Sequence, residues 1–317
     1  MILVTGATGF VGGALVRRLA ADSACEEVVA AVRRKVEALP DGVRQVQVGD
    51  LLPTTDWGLA LQDVDAVVHC AARVHVMQDD ATAPLLAYCE VNVNGTLNLA
   101  SQAAQAGVRR FVFVSSIKVN GEFTEVGEPF TADDLPAPED PYGVSKHEAE
   151  RLLRQIAAET GMEVVIIRPP LVYGPGVKAN FESMMRWLAR GVPLPLAAVT
   201  QSRRSLVAVD NLVDLIVTCL NHPAAANQTF LVSDGEDLST ADLLRRMGVA
   251  LGQPARLFYV PTALLKLGAT VVSRPGIYQR LCGSLQLDIA KTRQLLDWTP
   301  PVSVDEGLRR AAEGFRP

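Results

Sequence analysis

Short apolar runs and amphipathic stretches alternate along the first half of the chain, and the spacing of the apolar positions separates strands from helices. Met1–Val4 is a β-type run, and Val11, Leu15, Val16 and Leu19 predict a helix from Phe10 onward. Val28–Val32 reads as a second strand. Val43–Val48 alternates apolar and polar as a third strand would, and Ala66–His69 is an apolar fourth. Asn94–Ala106 is helical and closed by Gly107. Arg110–Ser116 is a fifth strand. Ser145–Thr160 is helical with Gly161 as its stop, and Val164–Arg168 is a sixth strand ended by Pro169-Pro170. Strands alternating with helices imply an α/β fold, a doubly wound parallel sheet with helices on both faces.

After Pro170 the texture changes. Proline and glycine are dense through Leu196 and the periodicity weakens. A strand at Val207–Val209, a helix at Asp210–Leu220 and a strand at Gln228–Val232 follow, then an amphipathic helix at Leu238–Leu251 and a last one at Asp305–Phe315. The expected division is a larger domain of residues 1–170 plus 206–234 and a smaller C-terminal lobe of residues 171–205 plus 235–317. The apolar stretch Ala263–Val272, broken by Lys266, is too short to span a bilayer. It is expected to be a buried helix, with a membrane surface or a partner as the other option.

Composition adds exclusions. The 317 residues are 49% hydrophobic, and the net charge of −5 disfavours a nucleic-acid or anionic-membrane binder. The five cysteines (Cys25, Cys70, Cys89, Cys219, Cys282) are scattered, with no C-x-x-C pair. That argues against a metal site or a disulfide framework and suits a reducing compartment. The chain opens on a strand, not on a charged segment before an apolar core, so a cytoplasmic protein without a signal peptide is expected.

Candidate chemistry begins at MILVTGATGFVGG, a strand, a glycine turn and a helix. Gly6, Gly9 and Gly12 stand at G-x-x-G-x-x-G spacing. Gly6 permits a tight turn, Gly9 lets the backbone approach a pyrophosphate, and Gly12 lets the helix pack close to the strand. The helix N-terminus offers free N–H groups to phosphates. A glycine-rich turn in any α/β protein is the plainer reading of the same residues. Farther on, Tyr142 and Lys146 are four residues apart and share a helix face. A phenol is a poor base at neutral pH, and an adjacent ammonium is expected to lower its pKa toward the working range. Ser115-Ser116 closes a predicted strand at the carboxyl edge of the sheet, where ligands bind in open α/β folds. Ser116 is the chosen donor to a substrate oxygen.

The ordered set TGATGFVG, Asp50-Leu51, Ala71-Ala72, NVNGT (Asn92–Thr96), the serine, YGVSK and RPPLVYGPG (Arg168–Gly176) resembles the extended short-chain dehydrogenase/reductase family over nearly the whole chain. It is most similar to bacterial nucleotide-sugar 4-epimerases and 4-ketoreductases of surface-polysaccharide pathways. The resemblance implies a Rossmann-type dinucleotide-binding domain and a nucleotide-sugar substrate lobe. It implies Tyr142 as general acid/base, Lys146 as its partner and ribose anchor, and Ser116 as the substrate-oxygen donor. Thr8, Phe10 and Val11 would surround the pyrophosphate with Gly6, Gly9 and Gly12. Asp50 and Leu51 would contact adenine, Ala71, Ala72 and Pro169 would border the cofactor, and Asn92 would support the active-site helix. Asn180 and Arg204 would hold the UDP diphosphate, with Arg280 a second phosphate candidate. A homodimer built on Val93–Ala106 and Ser145–Thr160 is also implied.

Three departures shape the expected function. Arg33-Arg34 follows the second strand where NAD-specific relatives carry an acid, which favours the 2′-phosphate of NADP(H); a solvated basic turn is the alternative. Ile117-Lys118 replaces the acidic pair of dehydratases. Leu171 replaces a usual asparagine, and His69, where many members carry asparagine, is expected at the cleft edge without a catalytic role. The leading expectation is reduction of the C4 keto group of a UDP-4-keto-6-deoxy-N-acetylhexosamine. C4 epimerisation of a UDP-hexose or UDP-N-acetylhexosamine with tightly held NAD is the alternative, and a non-catalytic nucleotide-binding regulator a remote one.

Overall fold

The computed structural model describes residues 1–22, 27–37, 39–74, 84–271 and 275–315. Cys25 and Val272 lie outside the described residues. In chain order the elements are β1 (Ile2–Thr5), α1 (Phe10–Ala20), β2 (Val28–Val32), β3 (Val43–Gln47), β4 (Ala66–His69), α2 (Pro84–Tyr88), a π-helical turn (Cys89–Gly95), α3 (Thr96–Gln105) and β5 (Arg110–Val114). A 3-10 turn (Ile117–Val119) leads to α4 (Pro141–Thr160), β6 (Glu163–Arg168), β7 (Leu171–Tyr173), α5 (Ala179–Ala189), β8 (Arg204–Ala208), α6 (Val209–Asn221) and β9 (Thr229–Leu231). The chain ends with β10 (Asp237–Leu238), α7 (Thr240–Ala250), α8 (Thr262–Val271), α9 (Pro275–Cys282), α10 (Ala290–Leu296) and α11 (Val304–Glu313).

Seven strands form one parallel sheet in the order β3-β2-β1-β4-β5-β6-β9. Strand periodicity explains its two buried faces. Leu3, Val29, Val67, Phe111 and Val164 point to one side and pack on Leu99 and Ala103 of α3 and Leu153 of α4. Their neighbours Val4, Ala30, Val68, Val112 and Val165 point to the other, against Leu15 and Leu19 of α1 and Leu212 and Ile216 of α6. The doubly wound Rossmann-type sheet is therefore present, and strand order reverses between β1 and β4. A second, three-stranded sheet β10-β8-β7 packs with α5, α7 and α11 around Tyr173, Phe181, Leu206, Met247 and Leu308.

Three local features differ from the sequence reading. α4 begins at Pro141, not Ser145, because Asp140 caps it (Oδ1 accepts from Gly143 N–H, 2.6 Å) and proline suits the first helical position. The helix expected from Asn94 is continuous from Pro84 through the π turn. α8 is exposed, not buried: Leu264 and Leu267 are 56% and 59% accessible. Leu287, Ile289, Leu296 and Trp298 pack in the core of the large sheet, and β8 belongs to the small sheet while its Val207 packs in the large core.

Candidate active site

The glycine turn sits where the strand order reverses. Gly6 has φ +65°, and a Cβ there would lie 2.9 Å from the Ala71 nitrogen, so the turn presses on the segment leaving β4. A Cβ on Gly12 would stand 2.2 Å from the Gly6 oxygen, so the start of α1 is seated on the turn. Gly9 is the N-cap and offers no side chain, and the first turn of α1 holds no acid. Its leading N–H groups therefore have no acceptor within the helix. Thr8 and Gly9 are exposed, and Phe10 and Val11 half-buried beside them. A cradle that any Cβ would fill, at the positive end of a helix, fits the diphosphate of a dinucleotide.

Arg33 and Arg34 follow β2 and are exposed. Arg33 stands 3.8 Å from Asp50, both side chains exposed (80% and 70%), so the two expected adenosine contacts face each other. Leu51 packs against the backbone at Gly95, where a Cβ would come within 2.8 Å of its side chain. Ala71 and Ala72 are half-buried after β4. The Asn92 amide clamps this segment: Oδ1 accepts from Arg73 N–H (2.8 Å), and Nδ2 donates to Arg73 O and to Ser145 Oγ (3.0 Å each). Asn92 thus ties the loop after β4 to α4 between Tyr142 and Lys146.

His69 is not at the cleft edge. It is wholly buried beneath it, with Nδ1 2.7 Å from Thr5 Oγ1 and Nε2 2.9 Å from Thr96 Oγ1, and is stacked on Phe113. Thr5 Oγ1 also accepts from Ala71 N–H (3.2 Å). Burial, with Lys146 nearby, lowers its pKa to about 3, so the ring is neutral. Its placement is explained by strand alternation, since β4 offers both faces of its residues to packing.

The three catalytic candidates converge at the carboxyl ends of β4 and β5. Lys146 is buried, donates from Nζ to Val114 O (2.9 Å) and lies over the Phe113 ring. Burial lowers its pKa to about 8, opposed by Cys70 and Glu150. Ser116 follows β5, half-buried, and among the described residues its Oγ accepts from Lys118 N–H (3.3 Å) alone. Ser115, by contrast, is buried and donates to Glu150 Oε1 (2.6 Å), which leaves Ser116 as the open hydroxyl. α4 reaches this segment closely, for a Cβ on Gly143 would lie 2.7 Å from Lys118 O. Tyr142, on the turn between, is half-buried with its ring edge-on to Tyr88. Its pKa moves against the sequence expectation. Burial raises it, and Asp140 and Tyr88 push the same way, while the Lys146 ammonium donates to the Val114 carbonyl. Lys118, in the dehydratase acid-pair position, is held by Asp140 (2.5 Å) and Glu122 (2.8 Å).

A buried support lies behind these groups. Glu150 accepts from Ser115, from Arg168 Nε (2.9 Å) and Nη2 (2.6 Å), and from Arg154 (3.2 Å), while Arg168 Nη1 donates to Asn120 Oδ1 (2.9 Å). Sequence reasoning passed over it, although Tyr142, Lys146 and Glu150 recur at i, i+4, i+8 and share one face of α4.

Pro169, expected beside the cofactor, is buried and its carbonyl accepts from Ile117 N–H (3.0 Å). The expected substrate contacts are dispersed. Asn180 is exposed in the first turn of α5, and Leu171 is exposed on β7. Arg204 is turned to structure: Nε donates to Gly283 O (3.0 Å) and Nη2 to Gln279 O (3.4 Å), and burial lowers its pKa. Those carbonyls flank Arg280, which is exposed on the last turn of α9. Among the described residues there is no cluster of three or more His, Cys, Asp or Glu suited to a metal, and no helix is long and apolar enough to cross a membrane.

The model of the NAD dependent epimerase/dehydratase family matches residues 2–233. A UDP-glucose 4-epimerase of Vibrio cholerae is 51% identical over 314 residues, 99% of this chain and 95% of that protein. Among solved structures, MoeE5 in complex with UDP-glucuronic acid and NAD superposes with a TM-score of 0.77 at 29% identity, covering 99% of this chain and 98% of that one. RMD from Pseudomonas aeruginosa, complexed with NADPH, has a TM-score of 0.75 at 23% identity, covering 99% and 98%.

Proposed function

The chain belongs to the NAD dependent epimerase/dehydratase family, and from that premise we propose that it is a C4 epimerase of a UDP-linked hexose or N-acetylhexosamine. The observation that carries this reading is the 51% identity, along 99% of the chain, to a UDP-glucose 4-epimerase. It puts epimerisation ahead of the 4-ketoreductase expected from Arg33 and Arg34. The larger part of the chain is assigned to the nicotinamide dinucleotide and the smaller lobe to the nucleotide sugar.

Bound in the glycine cradle, a nicotinamide dinucleotide supplies the acceptor and donor of the C4 hydride. Tyr142 takes the O4 proton as C4 is oxidised and returns it as C4 is reduced. The buried Lys146 ammonium offsets the phenolate charge and offers N–H to a ribose hydroxyl, and the Ser116 hydroxyl donates to O4. Asn92 keeps the turn bearing Tyr142 and Lys146 against the loop after β4. Because the oxidation and reduction cancel, the cycle consumes no cofactor.

Two finer assignments accompany this reading. NADP(H) is placed ahead of NAD(H), supported by two exposed guanidinium groups and no acid at the end of β2. A homodimer through α3 and α4 in the cytoplasm is the assembly and setting assigned, the latter supported by the free thiols of Cys70, Cys89, Cys219 and Cys282.

Incubation of the purified protein with UDP-glucose, then separation of UDP-glucose from UDP-galactose, tests the activity. Denaturation and identification of released dinucleotide tests the cofactor. Interconversion without net change in nicotinamide absorbance is expected. Failure to interconvert either UDP-hexoses or UDP-N-acetylhexosamines, together with stoichiometric NADPH oxidation on a 4-keto sugar, would restore the reductase.

A further inference from the structure

The net charge of the chain conceals a strong asymmetry. No Asp or Glu occurs between Glu182 and Asp210, or between Asp242 and Asp288, yet these two stretches carry ten Lys and Arg residues in a chain of net charge −5. Both belong to the smaller lobe. Several of their cations are already engaged: Arg186 pairs with Glu182, Arg245 with Asp242 and Arg246 with Glu236, while Arg203 and Arg204 donate to backbone carbonyls. Arg190, Arg256 and Lys266 are exposed and in no ion pair among the described residues.

The same face carries apolar side chains in solvent. Leu194 N–H donates to Arg256 O (2.9 Å) and Phe258 N–H to Leu194 O (3.0 Å), so the run 256–259 lies beside the segment leaving α5. Val192 N–H donates to Trp187 O (3.2 Å), and the Arg256 guanidinium lies 3.8 Å from where a Gly191 Cβ would sit. Trp187, Val192, Phe258 and Tyr259 are all exposed there, Tyr259 to 72%. α8 begins at Thr262 and adds Leu264 and Leu267, which share a helix face with Lys266 between them in sequence.

We propose that this face of the smaller lobe docks the protein on an anionic lipid bilayer. Aromatic side chains and leucines enter the headgroup boundary, and Arg190, Arg256 and Lys266 meet the lipid phosphates. The charge decides the occupant: Arg190, Arg256 and Lys266 are exposed on two stretches that hold no acid of their own, in a chain of net charge −5, and they complement an anionic membrane, whereas a second copy would bring the same cations face to face. The docking face is separate from α3 and α4 and from the glycine cradle.

Co-sedimentation of the full chain with phosphatidylglycerol-containing vesicles, against pure phosphatidylcholine, tests this. Binding to the anionic vesicles that weakens with salt is expected. Lys266→Gln and Arg256→Gln should each weaken partitioning roughly 5-fold, and Leu264→Glu with Leu267→Glu should abolish it, with turnover of a soluble UDP-sugar unchanged in every variant. Absence of binding at low ionic strength, or binding unaltered in the leucine variant, overturns the proposal. So does a leucine variant that instead shifts a wild-type oligomer to monomer on gel filtration, which would make the face a contact between copies.

Discussion

At the residue scale, the site is a balance between burial and hydrogen bonding. Burial and Asp140 favour the protonated phenol at Tyr142, so the residue must give up that proton before it can take the one on O4. Tyr142→Phe should lower kcat roughly 10²- to 10⁴-fold, the range of general acid–base catalysis, with an unchanged circular-dichroism melt showing that the fold is intact. Lys146 behaves in the opposite sense. A lysine lowered to about 8 carries its charge below that value and loses it above. Turnover should therefore fall as pH rises through about 8. In Lys146→Arg, whose guanidinium stays charged, that alkaline limb should vanish from the pH profile at a reduced maximal rate. The glycine spacing, the Tyr142–Lys146 pair and the serine pair are legible in the sequence because each depends on short spacing along a single element. The direction of the Tyr142 shift is not, because it depends on how deeply the ring is buried and on where the Asp140 carboxylate and Tyr88 lie. The same holds for His69, whose two threonine partners come from β1 and α3.

Elements carry the precision that residues need. α1 is seated on the turn it follows, and a methyl on Gly12 would collide with a backbone oxygen that has no freedom to move. Gly12→Ala should lose about 1–3 kcal/mol of stability, the usual cost of overpacking, and should weaken dinucleotide binding measured by fluorescence titration. α4 is fixed at two levels. Asp140 caps its first turn, and Glu150 anchors its middle to Arg168 at the end of β6. Both members of that pair are buried, so Glu150→Gln leaves an uncompensated guanidinium and should cost about 3–5 kcal/mol in a denaturant titration. Replacing both residues by apolar ones of similar volume should cost less than the single change. The capping residues Asp140 and Pro141 stand in plain sight in the sequence. The apolar periodicity begins only beyond the first turn and so marks a later start than the cap sets.

For the whole molecule, the two lobes are interlocked. The segment 124–130 pairs with 284–288, and residues 287–298 pass into the core of the large sheet. Tyr173, Asp234 and Asn211 form a buried joint between the sheets and the C-terminal segment: the Tyr173 hydroxyl donates to Asp234 (2.7 Å), and Asn211 donates to Asp234 and to Val302 O. The lobes should therefore unfold in a single transition by calorimetry, and two resolved transitions would refute the interlock. Sedimentation equilibrium tests the proposed dimer, with twice the 34.0 kDa chain mass expected.

The sequence by itself determined the parallel sheet, the order of its strands and helices, and the glycine, serine, tyrosine and lysine positions, because alternation, helical spacing and turn chemistry act between residues a few positions apart. Only the tertiary structure decided which of two adjacent serines stays open, that Arg204 donates to the carbonyls of Gln279 and Gly283, that His69 lies under the cleft and that α8 faces solvent. Each of those outcomes is set by contacts between segments distant in sequence, where packing and electrostatics compete and no local pattern records which of them prevails.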